Sequence, residues 1–286
     1  MKILLINHYA GSPNLGMEFR PYYVTKGWVK LGHEVLIVGG SYSHLRKVQP
    51  QSCEEMIDDM RYRWVKVNPY KGNGIGRIIS MFSFVTKLYC NYRRYLRNFK
   101  PDIVIASSTY PLDIYPAYRI ARHYHAKLIY EVHDLWPLSP MELGGYSKKH
   151  PFIRIMQKAE DDCYRYADAV VSMLPKAEEH MREHGLTRDK FHYVPNGIVL
   201  SDWNNPKGIP EEHGLLLSKL RAEGKFIVGF AGAHGIANSL YAVIDAVSSL
   251  TEQNVVLVLV GGGQEKENLI KYAHKKGVTN VYFLLP

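Results

Sequence analysis

Gly11 and Gly16 stand five residues apart in NHYAGSPNLGMEF, the turn after the opening apolar run MKILLI. That is the spacing of the two glycines in a phosphate-cradling G-x-x-x-x-G-K-[ST] loop. Here Met17 and Glu18 follow, so the lysine and hydroxyl of such a loop are missing and an acid stands among the phosphate-handling positions. Other residues also have types and spacing suited to chemistry. YEVHDLWPLSP sets His133 and Asp134 just past an apolar run. An imidazole and a carboxylate there suit a ligand cleft or, equally, the closing of a loop. GFAGAHGIANSL (229–240) and GGGQEKENL (261–269) each set glycines, Gly232 and then Gly262 and Gly263, between a strand and a helix. Backbone N–H groups and a helix N-terminus are a ready anion site. Neither stretch reads G-x-G-x-x-G, and no acid closes a strand about 20 residues beyond the first loop, which argues against a nicotinamide-dependent oxidoreductase.

HMREH (180–184) matches H-x-x-E-H, a zinc-peptidase pattern. Gly185 follows at once, so the pair falls in the last turn of a helix, and no third ligand is evident. We read these histidines as cationic side chains at the negative end of a helix dipole, and expect no metal.

These groups need elements to position them. KILLI (2–6), EVLIVGG (34–40), PDIVIAS (101–107), KLIYEV (127–132), ADAVVSM (167–173) and KFHYVPN (190–196) read as short strands apolar on both faces. Helical patterns cover 17–32, with Gly32 as C-cap, and 77–99, 111–125, 151–166 and 175–184. Repeated strand–helix–strand units imply a parallel, doubly wound sheet. Residues 196–214 are rich in Pro, Gly and Asn without a clear period and read as a linker. Strands at 225–232, 254–263 and 280–285, with helices at 238–250 and 264–276, start a second α/β unit. The expected division is a first domain 1–197, a linker 198–224, and a second domain 225–286 that is incomplete and continues in the natural protein. Two such domains place the carboxyl ends of their strands on a cleft, where open α/β sheets bind ligands.

Composition narrows the class. The chain has 286 residues, 46% of them hydrophobic, and no apolar stretch approaching the ~20 residues of a membrane span. The opening run is a strand pattern rather than a signal peptide. Cys53, Cys90 and Cys163 are scattered, as expected for a reducing cytoplasm. The net charge of +9 sits within residues 1–200, and from Arg61 to Lys100 ten basic residues occur with no acid. Such a field attracts anions or an anionic membrane. Within it, Ile78, Phe82, Val85 and Tyr89 fall on one helical stripe, with Arg93, Arg94, Arg97 and Lys100 near its end. This segment suits a membrane interface, or a crossover helix with a solvated basic face. It is one helix plus a strand with no nucleic-acid-binding motif, so no nucleic-acid partner is expected.

Taken together, the Gly11–Gly16 loop, the VHD at 132–134, VPNGI (194–198), FAG (230–232) and LVGGG (259–263) resemble the retaining glycosyltransferases of family 4, over the full length of the chain. NHYAGSPNLGMEFRPYY and ASSTYPLDIYPA look closest to the branch that builds bacterial O-antigen and capsule repeats, where fucosamine-type transferases belong. The resemblance implies a GT-B fold of two Rossmann-like domains, a nucleotide-sugar donor (UDP-linked is expected) on the second, and a polyprenyl-diphosphate-linked saccharide acceptor facing the first. It implies no cofactor or metal, and work in the cytoplasm at the inner face of the plasma membrane. It gives His133, with Asp134 beside it, a place near the transferred sugar. Gly11 and Gly16 are expected to let sugar and phosphate approach where a Cβ would obstruct them. Asn14, Met17 and Glu18 are expected on the acceptor side. Two departures stand out. The Arg and Lys that commonly hold the diphosphate are replaced by Ala233 and Asn238, with His234 and Lys266 as substitutes. The E-x7-E donor motif falls beyond residue 286, which leaves donor binding and activity of this chain in question. Two other functions fit the same features: a sugar-nucleotide 2-epimerase, distinguished by epimer or released UDP without acceptor, and a non-catalytic peripheral membrane module, distinguished by liposome binding through the basic helix.

Overall fold

KILLI forms β1 (Lys2–Ile6) at the middle of a sheet, and its burial explains its composition. Side chains alternate across a strand, so Leu4 and Ile6 enter one apolar cluster while Ile3 and Leu5 enter another on the opposite face. Each fully buried side chain of this kind contributes roughly 1.5–3 kcal/mol relative to exposure. The computed structural model describes residues 1–72, 74–250 and 253–285. Two compact units divide the chain, Met1–Gly197 and Ile198–Pro286.

The first unit adds β2 (Glu34–Gly40), β3 (Glu54–Ile57), β4 (Met60–Val65), β5 (Ile103–Ala106), β6 (Lys127–Val132), β7 (Ala169–Ser172) and β8 (Phe191–Tyr193). Their order is β3-β4-β2-β1-β5-β6-β7-β8. All neighbours are parallel except β3 and β4, a hairpin turning through Asp58 and Asp59 at positive φ. β3 is thus an antiparallel edge on an otherwise parallel sheet. Helices α1 (Arg20–Lys30), α2 (Ile75–Tyr95), α3 (Ile114–Tyr124), α4 (Leu138–Gly144), α5 (Pro151–Tyr166) and α6 (Glu178–Glu183) supply the crossovers and cover both faces.

Two expectations for this unit change. The helix expected from residue 17 begins at Arg20, with Pro21 in its first turn, which leaves Met17 and Glu18 in the preceding loop. The expected stripe on α2 splits. Val85 is buried, while Phe82 and Tyr89 are exposed, because the core-facing row is Met81, Phe84, Leu88 and Tyr92. The basic field is also partly spent internally: buried Arg63 donates to the carbonyls of Tyr95 and Arg97 and pairs with Glu54.

In the second unit, β9 (Phe226–Ala231), β10 (Val255–Val260) and β11 (Val281–Leu284) form a parallel sheet in the order β11-β10-β9. The segment 198–224, expected as a linker, instead carries α7 (Leu200–Asn204) and α8 (Glu211–Ala222) and belongs to this unit. α8 is held by Leu220, which packs on Val256, Val258 and Leu284. On the opposite face Leu257 and Leu259 meet α9 (Leu240–Ser248) and α10 (Lys266–Lys275). VVLVLV is apolar throughout because both its faces are covered.

Candidate active site

Strand register brings distant residues into one row. β1 and β5 pair Ile6 with Ala106, and β5 and β6 pair Ala106 with Tyr130. One residue farther along stand Asn7, Ser107 and Glu131, at the carboxyl edge where α/β sheets bind ligands. Asn7 donates its amide to the Ser107 carbonyl at 2.5 Å. The Ser107 hydroxyl donates to Glu131 Oε2 at 2.7 Å and lies 3.0 Å from His133 Nε2.

His133 sits between two carboxylates. Its Nε2 is 3.3 Å from Glu131 Oε2, and its Nδ1 is 3.6 Å from Glu18 Oε2. Burial alone depresses its pKa; the hydrogen bond and charge of Glu131, and then Glu18, outweigh burial and raise it above the ordinary histidine value. Glu131 shows the reverse balance. Burial pushes its carboxyl up, but the hydrogen bond and charge of His133 and the charge of Arg20 bring it down to about 2. Arg20 Nε donates to Glu131 Oε1 at 3.0 Å. The rest of its guanidinium donates to the Val194 and Pro195 carbonyls and the Asn196 side chain, at 2.9, 3.3 and 2.9 Å. The VPNG stretch singled out in the sequence is therefore tied to the row through Arg20. Sequence reasoning missed Arg20, Ser107 and Glu131. The available signal was the single acid inside the apolar strand KLIYEV, which a buried strand carries only with a partner.

The loop glycines serve a purpose other than the expected one. A Cβ on Gly11 would lie 2.0 Å from the Gly16 carbonyl oxygen. Gly16, at φ +104°, would put its Cβ 2.8 Å from the Lys47 amide nitrogen. Gly11 is buried against the loop's own returning chain and Gly16 against the loop after β2, so they permit close backbone packing rather than the approach of a ligand. Buried Arg46 fastens the loop by donating to the Ala10 and Gly40 carbonyls at 2.7 and 2.8 Å. That closure leaves Asn14 and Met17 exposed and turns Glu18 toward His133.

Asp134 does not join His133. Its two oxygens accept from Trp136 Nε1 at 3.1 Å and Ser139 Oγ at 2.5 Å, which anchors the start of α4. Deeper in the unit, His8 Nδ1 meets the Tyr110 hydroxyl at 2.7 Å. Burial, then Arg46 and Arg77, lower the His8 pKa well below its ordinary value. Burial raises Asp113 to about 7 against the hydrogen bonds it accepts from Ser108.

In the second unit the loops after β9 and β10 interlock. His234 donates its amide to the Gly262 carbonyl at 2.8 Å, and Gly232 donates to Val260 at 3.0 Å. Gly263, at φ +152°, passes so close to His234 that a Cβ would lie 2.5 Å from the His234 carbonyl oxygen. Gly232, His234, Gly262 and Gly263 thus come together as expected. Lys266 does not offer a free cation: its ammonium donates to the Gly261 and Leu284 carbonyls, both at 2.8 Å. Asn238 closes the first loop by donating to the Ala233 carbonyl at 2.6 Å. His234 is fully buried, and both of its ring nitrogens lack a partner among the described residues. Burial and the Lys266 charge lower its pKa, so a neutral imidazole with an uncommitted N–H stands at the junction of the glycine loops. In the first unit, the H-x-x-E-H histidines gain a neighbour invisible in the sequence, since Glu160 on α5 reaches His180 Nε2 at 3.0 Å.

Comparison with known proteins gives two findings. A family model described as "Glycosyl transferase 4-like domain" matches residues 16–197. The fold is similar to that of HepE from Anabaena, solved with UDP-glucose, at a TM-score of 0.66 and 18% identity over 100% of this chain and 69% of that one. It is also similar to sucrose-phosphate synthase from Thermosynechococcus elongatus, at 0.74 and 15% over 99% and 70%. WaaG, a glycosyltransferase involved in lipopolysaccharide biosynthesis, gives 0.63 and 17% over 100% and 70%. These neighbours share the Rossmann-like GT-B architecture. No curated protein matches the sequence.

Proposed function

We infer, from the premise that the chain belongs to the glycosyl transferase 4-like family, that it moves a sugar from a nucleotide-sugar donor to a lipid-linked saccharide acceptor with retention at the anomeric carbon. The observation that carries this reading is His133, a buried imidazole held between Glu131 and Glu18 at the carboxyl edge of the first sheet. Glu131 fixes the ring, and its hydrogen bond and charge raise the imidazole above the ordinary histidine value against burial. An imidazole N–H there donates to hydroxyls of the transferred sugar, and Glu18 accepts from acceptor hydroxyls. The leaving nucleoside diphosphate develops negative charge, which donors fixed in advance stabilise in the transition state. In the second unit the exposed Gly262 backbone and the uncommitted His234 ring suit that task. The complex of HepE with UDP-glucose supports a UDP-linked sugar as donor.

The acceptor's lipid requires a membrane surface, and α2 has a face that suits one. Ile75, Ile79 and Phe82 follow helical spacing and are 76%, 56% and 37% exposed, with exposed Arg93 and Arg94 in the last turn. No described helix is long and apolar enough to cross a membrane. We assign the protein to the inner face of the plasma membrane, in surface-polysaccharide synthesis. The test is incubation with UDP-, GDP- and ADP-sugars and a polyprenyl-diphosphate-linked saccharide, with product anomericity read by NMR. Transfer with retention is expected; absence of both transfer and nucleoside-diphosphate binding would overturn the proposal.

A further inference from the structure

His180 and His184 are four residues apart, on α6 and at its C-cap, so both imidazoles fall on one side of the helix end. Their ring centroids are 4.6 Å apart. Facing them on α5 is Glu160, a carboxyl group only 1% exposed. One ligand atom from each of Glu160, His180 and His184 can be chosen so that all lie within 4.8 Å of one another. Asp161 adds a second carboxylate, its Oδ1 3.1 Å from His184 Nδ1.

The position of Gln157 shows what this arrangement is fitted for. Its amide nitrogen lies 2.8 Å from Glu160 Oε2, 2.9 Å from Asp161 Oδ1 and 2.8 Å from His184 Nδ1. An amide nitrogen has two protons, and here it stands among two carboxylate oxygens and an imidazole nitrogen whose role depends on its tautomer. Two carboxylate oxygens and an imidazole nitrogen at this spacing around one point suit a cation there.

We propose that Glu160, His180 and His184 form a binding site for a divalent transition metal of the zinc class. Two imidazoles and a carboxylate are the ligand set that zinc accepts with N and O donors, whereas magnesium and calcium call for oxygen ligands alone. Bonds of about 2.0–2.2 Å in a tetrahedron need donors roughly 3.4 Å apart, so the three donors, all within 4.8 Å of one another, draw together on binding. Gln157 then swings aside or turns its amide so that the oxygen faces the ion. Glu160 is held by a further hydrogen bond from the Tyr164 hydroxyl at 2.9 Å, the outer-shell support that orients a ligating carboxylate. A cavity of about 780 Å³, lined by Met141, Tyr146, Gln157, Asp161, His180 and His184, opens the two imidazoles to solvent and gives room for a fourth ligand such as water or an anion. The ion joins α5 to α6 and takes no part in the sugar-transfer row, with which it shares no residue.

The test uses the whole protein, stripped with a chelator and titrated with Zn²⁺ and separately with Co²⁺. One equivalent of each is expected to bind, with Co²⁺ giving the visible absorption bands of a low-symmetry nitrogen–oxygen site. Melting should rise by roughly 5 °C at a hundredfold excess over Kd, with no rise in Mg²⁺. His180→Ala and His184→Asn are each expected to weaken zinc binding at least tenfold; His184 is partly exposed, so the second variant keeps the fold under test. Cys53→Ser with Cys90→Ser removes the exposed thiols and should change nothing. Failure to bind stoichiometric zinc, or undiminished binding by the His180→Ala and His184→Asn variants, overturns the proposal. Binding that disappears only with the cysteines overturns it as well.

Discussion

Arg20 and Glu131 are 111 residues apart in the chain and meet at 3.0 Å, with each side chain only 7% exposed. One residue opens α1, the other lies near the end of β6. Their contact ties the helix after the glycine loop to the strand that presents His133, and through Val194–Asn196 it ties both to the end of the first unit. Replacing one partner of a buried ion pair leaves the other charged and unpaired, at a cost on the order of 3–5 kcal/mol. Arg20→Met is therefore expected to lose about that much stability in urea unfolding. A change under 1 kcal/mol would show that the pair bears little of the structure.

Stability should respond to pH from both sides of the same network. The Glu131 carboxyl falls from 4.5 to about 2 on folding, so its contribution is present above pH 4.5 and is lost as pH drops toward 2. His133 is raised above 6.5, so its contribution is fully present below pH 6.5 and is lost as pH climbs through the folded value. The network stabilises most between about pH 4.5 and 6.5. Melting temperature against pH should fall on both flanks, and His133→Asn should flatten the alkaline one. An unchanged alkaline flank would remove His133 as its source.

The loop glycines are expected to fail as structure before they fail as chemistry. Gly16→Val forces a β-branched residue to φ +104° against the Lys47 amide, which costs on the order of 1–3 kcal/mol and loosens residues 11–18. Limited proteolysis should cut the variant within that loop. A variant as resistant as the parent, yet without transfer, would restore the glycines to a ligand-facing role.

His234 offers a cleaner separation of binding from folding. Its ring lies 6.3 Å from both Phe230 and Phe283, so His234→Phe keeps an aromatic ring in place while removing the unpaired nitrogens. Stability should hold or rise. UDP affinity should drop about tenfold or more, the effect of losing one hydrogen bond to a charged group. Equal affinity by calorimetry would take His234 out of the diphosphate site.

The outward face of α2 can be tested with vesicles. Ile79→Glu with Phe82→Glu adds two charges to exposed positions and should leave melting nearly unchanged. Flotation with phosphatidylglycerol vesicles should fall severalfold, as it should for Arg93→Glu with Arg94→Glu. Equal flotation in all three proteins would discard α2 as a membrane contact.

The sequence by itself settled the alternation of strands and helices, the burial of β1 and β10 on both faces, the break near residue 197 and the pairing of glycine loops after β9 and β10. Those features are written in local periodicity and turn chemistry, which a short window of residues carries whole. It also pointed to His133, an imidazole at a strand's carboxyl end. Only the tertiary structure decided what His133 touches, because Glu18, Ser107 and Glu131 reach it through crossover connections and strand register that local spacing does not encode. The same reason separates Asp134 from its neighbour. A side chain one residue along a turning loop points elsewhere, and Asp134 anchors α4. It also explains the two loop glycines, whose missing Cβ atoms make room for the chain itself, and the carboxylate of Glu160 beside two histidines twenty and more residues away.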